Sequence, residues 1–317
     1  MDIILFLLLL CFLICIGIFI SIVFKYINLK LIASNKLGNL YFGGNYLKKI
    51  AIIVPYGNLN PDENRSEQLE RFIDHMSNIL PKKTHFDIII SEQIKPSKYF
   101  NRGQLLNIGA KYAIENYKSD LIITHDVDML PDKILVNEYV KAVKNKFTCL
   151  APENSNKKYY LKRIKTICGG AISSILSDIY IKLNGYPNNF WGWGGEDLAL
   201  IKRVKLNNIL FTFNKNGAYI NIDEQRQSEN THEDKMNYLK NNKISNMYRN
   251  ELLIDDILNW KKNGYAQLNN LNYKSDIEDV AKLKNNINLI RIKNELDEFN
   301  LENTIQQNDK IYKIINK

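Results

Sequence analysis

Proline is scarce and glycine is not abundant: seven Pro and 15 Gly in 317 residues exclude a collagen-like repeat or a linker-dominated chain. Four cysteines are too few for a disulfide scaffold. Two of them, Cys11 and Cys15, fall inside an apolar run and read as small apolar side chains. Acidic residues are outnumbered, 34 Asp and Glu against 43 Lys and Arg, for a formal net charge of +9. Such a balance admits nucleic acid, anionic lipid or a phosphorylated ligand as partner and does not choose among them. The basic residues are dispersed through an Asn-, Lys- and Ile-rich background. That is a solvated surface, without the Lys/Arg stripe and interleaved aromatics of a nucleic-acid binder. Internal repeats are absent too. What remains is 45% hydrophobic and 24% charged, enough apolar material for a core and incompatible with global disorder. The length suits one large domain or two ordinary ones.

The longest apolar run comes first. Ile3 to Phe24 is softened only by Gly17 and Ser21. As a helix at 1.5 Å per residue it spans roughly 33 Å, against a bilayer core of about 30 Å. A cleaved signal peptide is the alternative, but it needs a basic start and a shorter apolar stretch, and this chain starts Met1-Asp2. The reading is a retained single-pass transmembrane anchor over residues 1–25. Lys25, Lys30 and Lys36 follow it and favour a cytosolic C-terminal side. Asn64-Arg65-Ser66 is a sole glycosylation sequon pointing weakly the other way. Cys149 and Cys168 remain for the rest of the chain and can pair only if the fold brings them together.

Residues 26–48 read as a stem. Lys49 to Tyr56 is an apolar run stopped by Pro55, the pattern of a buried strand. Leu69, Phe72, Ile73, Met76 and Leu80 carry a helical period closed by Pro81. A strand is expected at Phe86 to Ile90, a helix at Leu105 to Ile114 and a strand at Leu121 to Thr124. Strand, helix, strand, helix, strand predicts an α/β domain with an at least partly parallel sheet. A helix at Leu198 to Leu206 and a strand at Asn286 to Ile292 follow, so the domain is expected over residues 49–297. Residues 298–317 form a polar tail.

Ligands on such sheets bind beyond the carboxyl ends of the strands. Asp126-Val127-Asp128 sits there, and carboxylates two apart can hold a hard divalent cation with oxygens left for a phosphate-bearing ligand. The competing reading is a turn or helix cap. In Phe190-Trp191-Gly192-Trp193-Gly194-Gly195-Glu196-Asp197, glycines give backbone freedom, and flat Trp faces beside carboxylates suit a sugar ring. The bland alternative is a structural aromatic turn. His232 lies in a polar segment and can complete a metal site or be merely solvated. His125, beside the acidic pair, is a candidate to support it from behind, whereas His75 and His85 read as structural. Arg102, heading a helix, can bind an anion there.

In order along the chain, Ile52-Ile53-Val54-Pro55-Tyr56, Asn64-Arg65-Ser66-Glu67-Gln68-Leu69, Phe100-Asn101-Arg102-Gly103-Gln104-Leu105-Leu106-Asn107-Ile108-Gly109, Asp126-Val127-Asp128, Gly169-Gly170 and Asn184-Gly185-Tyr186-Pro187-Asn188-Asn189 running into the Trp-Gly segment resemble the β-1,4-galactosyltransferase family (glycosyltransferase family 7). The resemblance runs from about Lys49 to about Glu295. It implies a GT-A fold, a mixed and partly parallel sheet with flanking helices, after an N-terminal transmembrane helix. It also implies an inverting enzyme of the Golgi membrane that uses a UDP-sugar donor, Mn²⁺ and a carbohydrate or glycoconjugate acceptor.

By resemblance Asp128 and His232 are the metal ligands. Pro55, Tyr56, Arg65, Arg102, Asp126, Val127, Ile167, Gly169, Trp193 and Glu196 hold the donor. Trp191, Gly194, Gly195 and Asp197 face the acceptor, and Asp197 is the catalytic base. Ile167 stands where galactosyl-transferring members tend to carry Tyr, so galactose and N-acetylgalactosamine are both open as the transferred sugar. Leu198 and Ala199 replace acidic residues usual after this Glu-Asp pair, Gly57 replaces an Arg of the loop after the first strand, and His232 is the only His available after the Trp-Gly loop. A non-catalytic carbohydrate-binding membrane protein needs neither Asp128 nor Asp197. A metal-dependent hydrolase is a weaker enzymatic alternative.

Overall fold

The computed structural model describes residues 49–58, 65–94, 99–141, 144–151, 170–192, 194–222 and 246–296. These belong to one compact unit beginning at Leu47. The expected anchor, stem and polar tail lie outside the described residues. Among the described residues no helix is long and apolar enough to cross a membrane.

An eight-stranded mixed sheet forms the centre of this unit. Strand β1, Lys49–Tyr56, is buried from Ile50 onward. It pairs in parallel with β2, His85–Gln93, on one side and with β3, Leu121–His125, on the other. Strands buried on both faces in this way need near-continuous apolar runs, as in Ile50-Ala51-Ile52-Ile53-Val54. Helices α1, Arg65–Ile79, and α2, Arg102–Tyr112, are the links between these strands. Beyond β3 the sheet turns antiparallel. Strand β6, Ile172–Leu176, pairs antiparallel with β3 and with β5, Lys146–Cys149, and β7, Leu210–Phe213, runs parallel to β5 at the edge. On the other side β10, Ile287–Leu296, lies parallel to β2 and antiparallel to β9, Tyr273–Lys284. The order is therefore β7-β5-β6-β3-β1-β2-β10-β9. A small ladder joins β4, Met129–Pro131, to β8, Tyr219–Asn221.

Helix α2 starts three residues before the apolar period suggests, because Asn101 caps it: its side-chain oxygen accepts from the Gln104 N–H at 3.0 Å. Gly103 at its first turn lies so close to the Pro187 carbonyl that an added Cβ would sit 2.4 Å from that oxygen, so no larger residue fits. Helices α3, Lys133–Tyr139, α4, Ser177–Lys182, α5, Glu196–Leu206, and α6, Asn246–Asn259, complete the elements used below. Strand β9 escapes the sequence reading because its alternation is masked by Lys, Asp and Glu, the charged edge that keeps an outer strand from pairing with other chains. Cys149, at the end of β5, is disulfide-bonded; Cys168 lies outside the described residues.

Candidate functional site

The parallel register places Ile53 opposite Thr124. Pro55 and Tyr56, the last residues of β1 and still paired with β2, therefore lie level with Asp126 and Val127, at the carboxyl edge of β1 and β3. Antiparallel pairing of His125 with Ile172 brings the start of β6 to the same edge, where the Asp126 N–H donates to the Ala171 carbonyl at 3.2 Å. The sheet thus delivers Asp126-Val127-Asp128 and Gly170 to one place from segments far apart in sequence.

Helices bring the remaining groups. The Arg102 guanidinium, on the first turn of α2, donates through Nε and Nη2 to Asp126 Oδ1 at 3.0 and 2.8 Å. Nη2 also donates to the Gly170 carbonyl, and Nη1 faces Glu196 Oε1 at 3.5 Å. Its carbon lies 5.8 Å from the centre of the Tyr186 ring. Burial works against this cation, but Asp126, Tyr186 and Glu196 outweigh it and hold its pKa above the ordinary value. The arginine is thus a brace between two carboxylates and a carbonyl. Asp197 is next to Glu196 on α5, and its Oδ1 accepts from the Leu198 N–H at 2.7 Å. An added Cβ on Gly170 would come within 3.1 Å of Asp197 Oδ2, so a bare backbone flanks this carboxylate.

The α5 helix is held by its own far end. Arg203 is fully buried and paired with Asp256 of α6, its Nε donating to Oδ2 at 3.0 Å. Its Nη1 donates to the carbonyls of Asn184 and Gly185, each at 2.9 Å. Asn107 of α2 binds the same run: its amide donates to the Tyr186 carbonyl at 2.7 Å and its oxygen accepts from the Tyr186 N–H at 2.9 Å. Asn101 donates to the Asn188 carbonyl at 2.7 Å. Buried amides and one ion pair therefore fix the segment leading into the Trp-Gly loop. The loop itself needs left-handed backbone, with φ of 75° at Gly192, 86° at Gly194 and 101° at Gly195. Trp191 is buried in an apolar cluster with Phe190, Leu105 and Leu252.

Among the expected site residues, the structure brings together Arg102, Asp126, Glu196 and Asp197, with Val127 and Asp128 on the same turn. Asp128 is 3% exposed, and its carbonyl accepts from the Ile222 N–H at 2.8 Å. Pro55 and Tyr56 stand at the end of β1, and Arg65 opens α1, where its Nη1 donates to Gln68 at 2.8 Å. Burial, then Glu92, raises the Tyr56 pKa. Ile167, Gly169, Trp193 and His232 lie outside the described residues. Among the described residues no group of three or more His, Cys, Asp or Glu could hold a metal ion. Asp128 fits Mn²⁺ in kind: a hard carboxylate donor at the sheet edge where ligand oxygens can complete the shell.

Sequence reasoning did not assign a site role to Tyr186, Gly170, Glu92 or Arg291. Glu92 and Arg291 pair at 2.7 Å beside Tyr56. A signal for Glu92 was available, since an acid at the end of a buried strand requires a partner.

Comparison with known proteins matches a model described as the N-terminal region of glycosyl transferase group 7 to residues 43–141, and one described as the N-terminal domain of galactosyltransferase to residues 152–225. Together they cover more than half of the chain. Mouse β-1,4-galactosyltransferase 4 is 30% identical over 229 residues, 69% of this chain and 58% of that protein. Mouse β-1,4-galactosyltransferase 6 is 32% identical over 184 residues, 57% of this chain and 45% of that protein. The chain thus spans about half the length of these relatives. The catalytic domain of a Drosophila β-1,4-galactosyltransferase 7 in complex with xylobiose has the same fold, with a TM-score of 0.58 at 22% identity over 81% of this chain and 97% of that one. A mutant of that protein with manganese, UDP-Gal and xylobiose superposes with a TM-score of 0.55 at 22% identity.

Proposed function

Because this chain belongs to glycosyl transferase group 7, we propose that it is a membrane-anchored, inverting transferase that moves galactose or N-acetylgalactosamine from a UDP-sugar to a hydroxyl of a carbohydrate acceptor. The observation that carries the reading is the convergence of Arg102, Asp126, Gly170, Glu196 and Asp197 at one sheet edge, beside Asp128. A non-catalytic sugar-binding protein has no use for the full set of acids.

Asp126 and Glu196, oriented by Arg102, are acceptors for hydroxyls of the transferred sugar. Pro55 and Tyr56 stand at the end of the sheet suited to the nucleoside. Asp197 takes the proton of the acceptor hydroxyl as that oxygen forms its bond to C1. The bond from C1 to the diphosphate oxygen breaks on the opposite face, and UDP leaves with the electron pair, so the anomeric centre inverts. Asp128 and His232 would hold Mn²⁺, which when bound would supply positive charge to the departing diphosphate. The glycines of the Trp-Gly segment let Trp193 cover the donor and exclude water, which limits hydrolysis.

Residues 1–25 would anchor the chain in the Golgi membrane, residues 26–48 would space the catalytic domain of residues 49–297 from it, and residues 298–317 would form a tail. The disulfide at Cys149 supports a lumenal catalytic domain, because such bonds persist in oxidising compartments, and it opposes the orientation favoured by Lys25, Lys30 and Lys36. The test is a donor screen on the full chain with UDP-galactose, UDP-N-acetylgalactosamine and Mn²⁺ over a panel of acceptor sugars, reading released UDP and product linkage. Metal-dependent transfer that is lost in Asp197→Asn is expected. UDP release that never depends on an acceptor would instead mark a hydrolase.

A further inference from the structure

Behind the Asp126-Val127-Asp128 turn lies a pair of side chains to which the mechanism above assigns no role. His125, the last residue of β3, and Tyr139, the last residue of α3, are both 0% exposed. Tyr139 Oη and His125 Nε2 are 2.8 Å apart, and His125 Nδ1 and the Asp126 carbonyl oxygen are 2.8 Å apart. Phe72 of α1 meets the imidazole edge-on with centroids 5.0 Å apart, so the ring is packed as well as bonded.

The chemistry of these partners fixes every proton. A carbonyl oxygen only accepts, so Nδ1 carries the hydrogen. The uncharged ring then has a lone pair on Nε2, which accepts from the Tyr139 hydroxyl. Burial favours this uncharged ring and raises the Tyr139 pKa well above its ordinary value, so the phenol keeps its proton. The proton order runs one way, from the Tyr139 hydroxyl to His125 to the Asp126 carbonyl.

That carbonyl also accepts from the Met129 N–H at 3.3 Å, closing the turn. With both lone pairs engaged, the peptide plane between Asp126 and Val127 has one orientation. The peptide is trans, so the Val127 N–H points away from the His125 ring. Asp126 precedes this peptide and Asp128 follows Val127, so the turn carries both acids.

We propose that Tyr139 and His125 are positioning residues, a buried relay that sets the turn presenting Asp126 to the transferred sugar and Asp128 to the diphosphate end of the donor. The proposal rests on the transferase reading for the identity of that ligand, but its test does not require transfer. His75 supplies a separate pin, its Nε2 donating to the Pro131 carbonyl at 2.7 Å, so the strand after the turn stays anchored when the relay is cut.

The experiment measures binding of Mn²⁺ in the presence of UDP to the full chain, by the paramagnetic resonance signal of free Mn²⁺, with melting temperature followed in parallel. His125→Leu removes both hydrogen bonds at similar volume and is expected to weaken Mn²⁺ binding about 10-fold or more, as loss of a group supporting a metal ligand does. Tyr139→Phe removes only the hydroxyl and is expected to cost about 3-fold, because the ring loses one of its two orienting hydrogen bonds while the carbonyl still holds its tautomer. His125→Asn places an amide N–H where Nδ1 was, so it should bind more tightly than His125→Leu despite the smaller side chain. A packing role predicts the reverse order. Unchanged Mn²⁺ affinity in folded His125→Leu, or an affinity ranked by side-chain volume, overturns the relay. A wild type that binds Mn²⁺ with UDP but transfers no sugar sinks the transferase reading alone, and one that binds neither overturns both.

Discussion

Burial of His125 makes the stability of this domain depend on pH in a window set by one residue. Burial pushes its pKa down from 6.5 to about 4; the bond to the Asp126 carbonyl opposes the shift and His75 reinforces it. Between these two values the unfolded chain binds a proton that the folded chain does not, so stability rises with pH across the window. The contribution is complete above about pH 6.5 and is lost as pH falls toward 4. At about 1.4 kcal/mol per pH unit the drop corresponds to about 3 kcal/mol, a large share of the stability of an ordinary domain. Carboxylates also titrate near the lower end, so the assay is a difference. Urea unfolding of the wild type and of His125→Asn, followed by Trp fluorescence at half-unit steps from pH 4 to 7.5, isolates the histidine. The gap between the two should widen in favour of the wild type by about 3 kcal/mol from the acid to the neutral end. A gap that stays constant within about 0.5 kcal/mol would show that the buried ring accepts its proton without cost, and would refute the reasoning from burial.

The remaining expectations concern the site itself. Asp197→Asn is nearly isosteric and removes only the proton acceptor, so turnover should fall roughly 10²–10⁴-fold while UDP-sugar binding stays within a few fold; retained turnover with lost donor binding would make Asp197 a binding residue. Asp128→Ala should abolish transfer and His232→Ala should weaken metal affinity more than it lowers the melting temperature; full activity of Asp128→Ala in chelator would remove the metal assignment. Arg102→Met leaves Asp126 and Glu196 without their brace and should cost about 1–3 kcal/mol in denaturant unfolding, less than for a fully buried ion pair because Asp126 keeps some contact with water; a loss below about 0.5 kcal/mol would show that the brace is replaceable. Ile167→Tyr should shift competition between the two donors toward UDP-galactose, because a clash with an N-acetyl group discriminates more sharply than a missing contact; an unchanged ratio would place Ile167 away from the donor.

The parallel centre of the fold was legible because both faces of β1, β2 and β3 are buried and their apolar runs are nearly unbroken. Element ends were less so. Helix α2 begins at Arg102 because of a side-chain cap at Asn101, which no apolar period records. Strand β10 runs on to Leu296 through Asn294, a polar residue that is fully buried because its amide donates to Ser91 and to the carbonyls of Glu92 and Ile292. At the site, Asp126-Val127-Asp128 and Glu196-Asp197 stood out as adjacent acids near a strand end and among glycines. What each acid touches was not readable, since Arg102 meets partners 24 and 94 positions away that only the sheet register and the packing of α5 bring near.

By resemblance Arg102 holds the donor, and its guanidinium faces Asp126, Glu196 and Gly170. This changes the electrostatics of donor binding. Arg102, Asp126, Asp128, Glu196 and Asp197 together carry one formal positive and four formal negative charges. A diphosphate entering such a cluster meets repulsion worth about 4 kcal/mol per close pair at the effective dielectric of a protein surface. An arginine already engaged by two carboxylates does not relieve it. A divalent cation entering with the diphosphate would, and it would leave Arg102 to hold Asp126 and Glu196. Under the proposed transferase reading the brace and the expected metal dependence are one design: Arg102 would order the two acids, and a divalent cation would neutralise the leaving group.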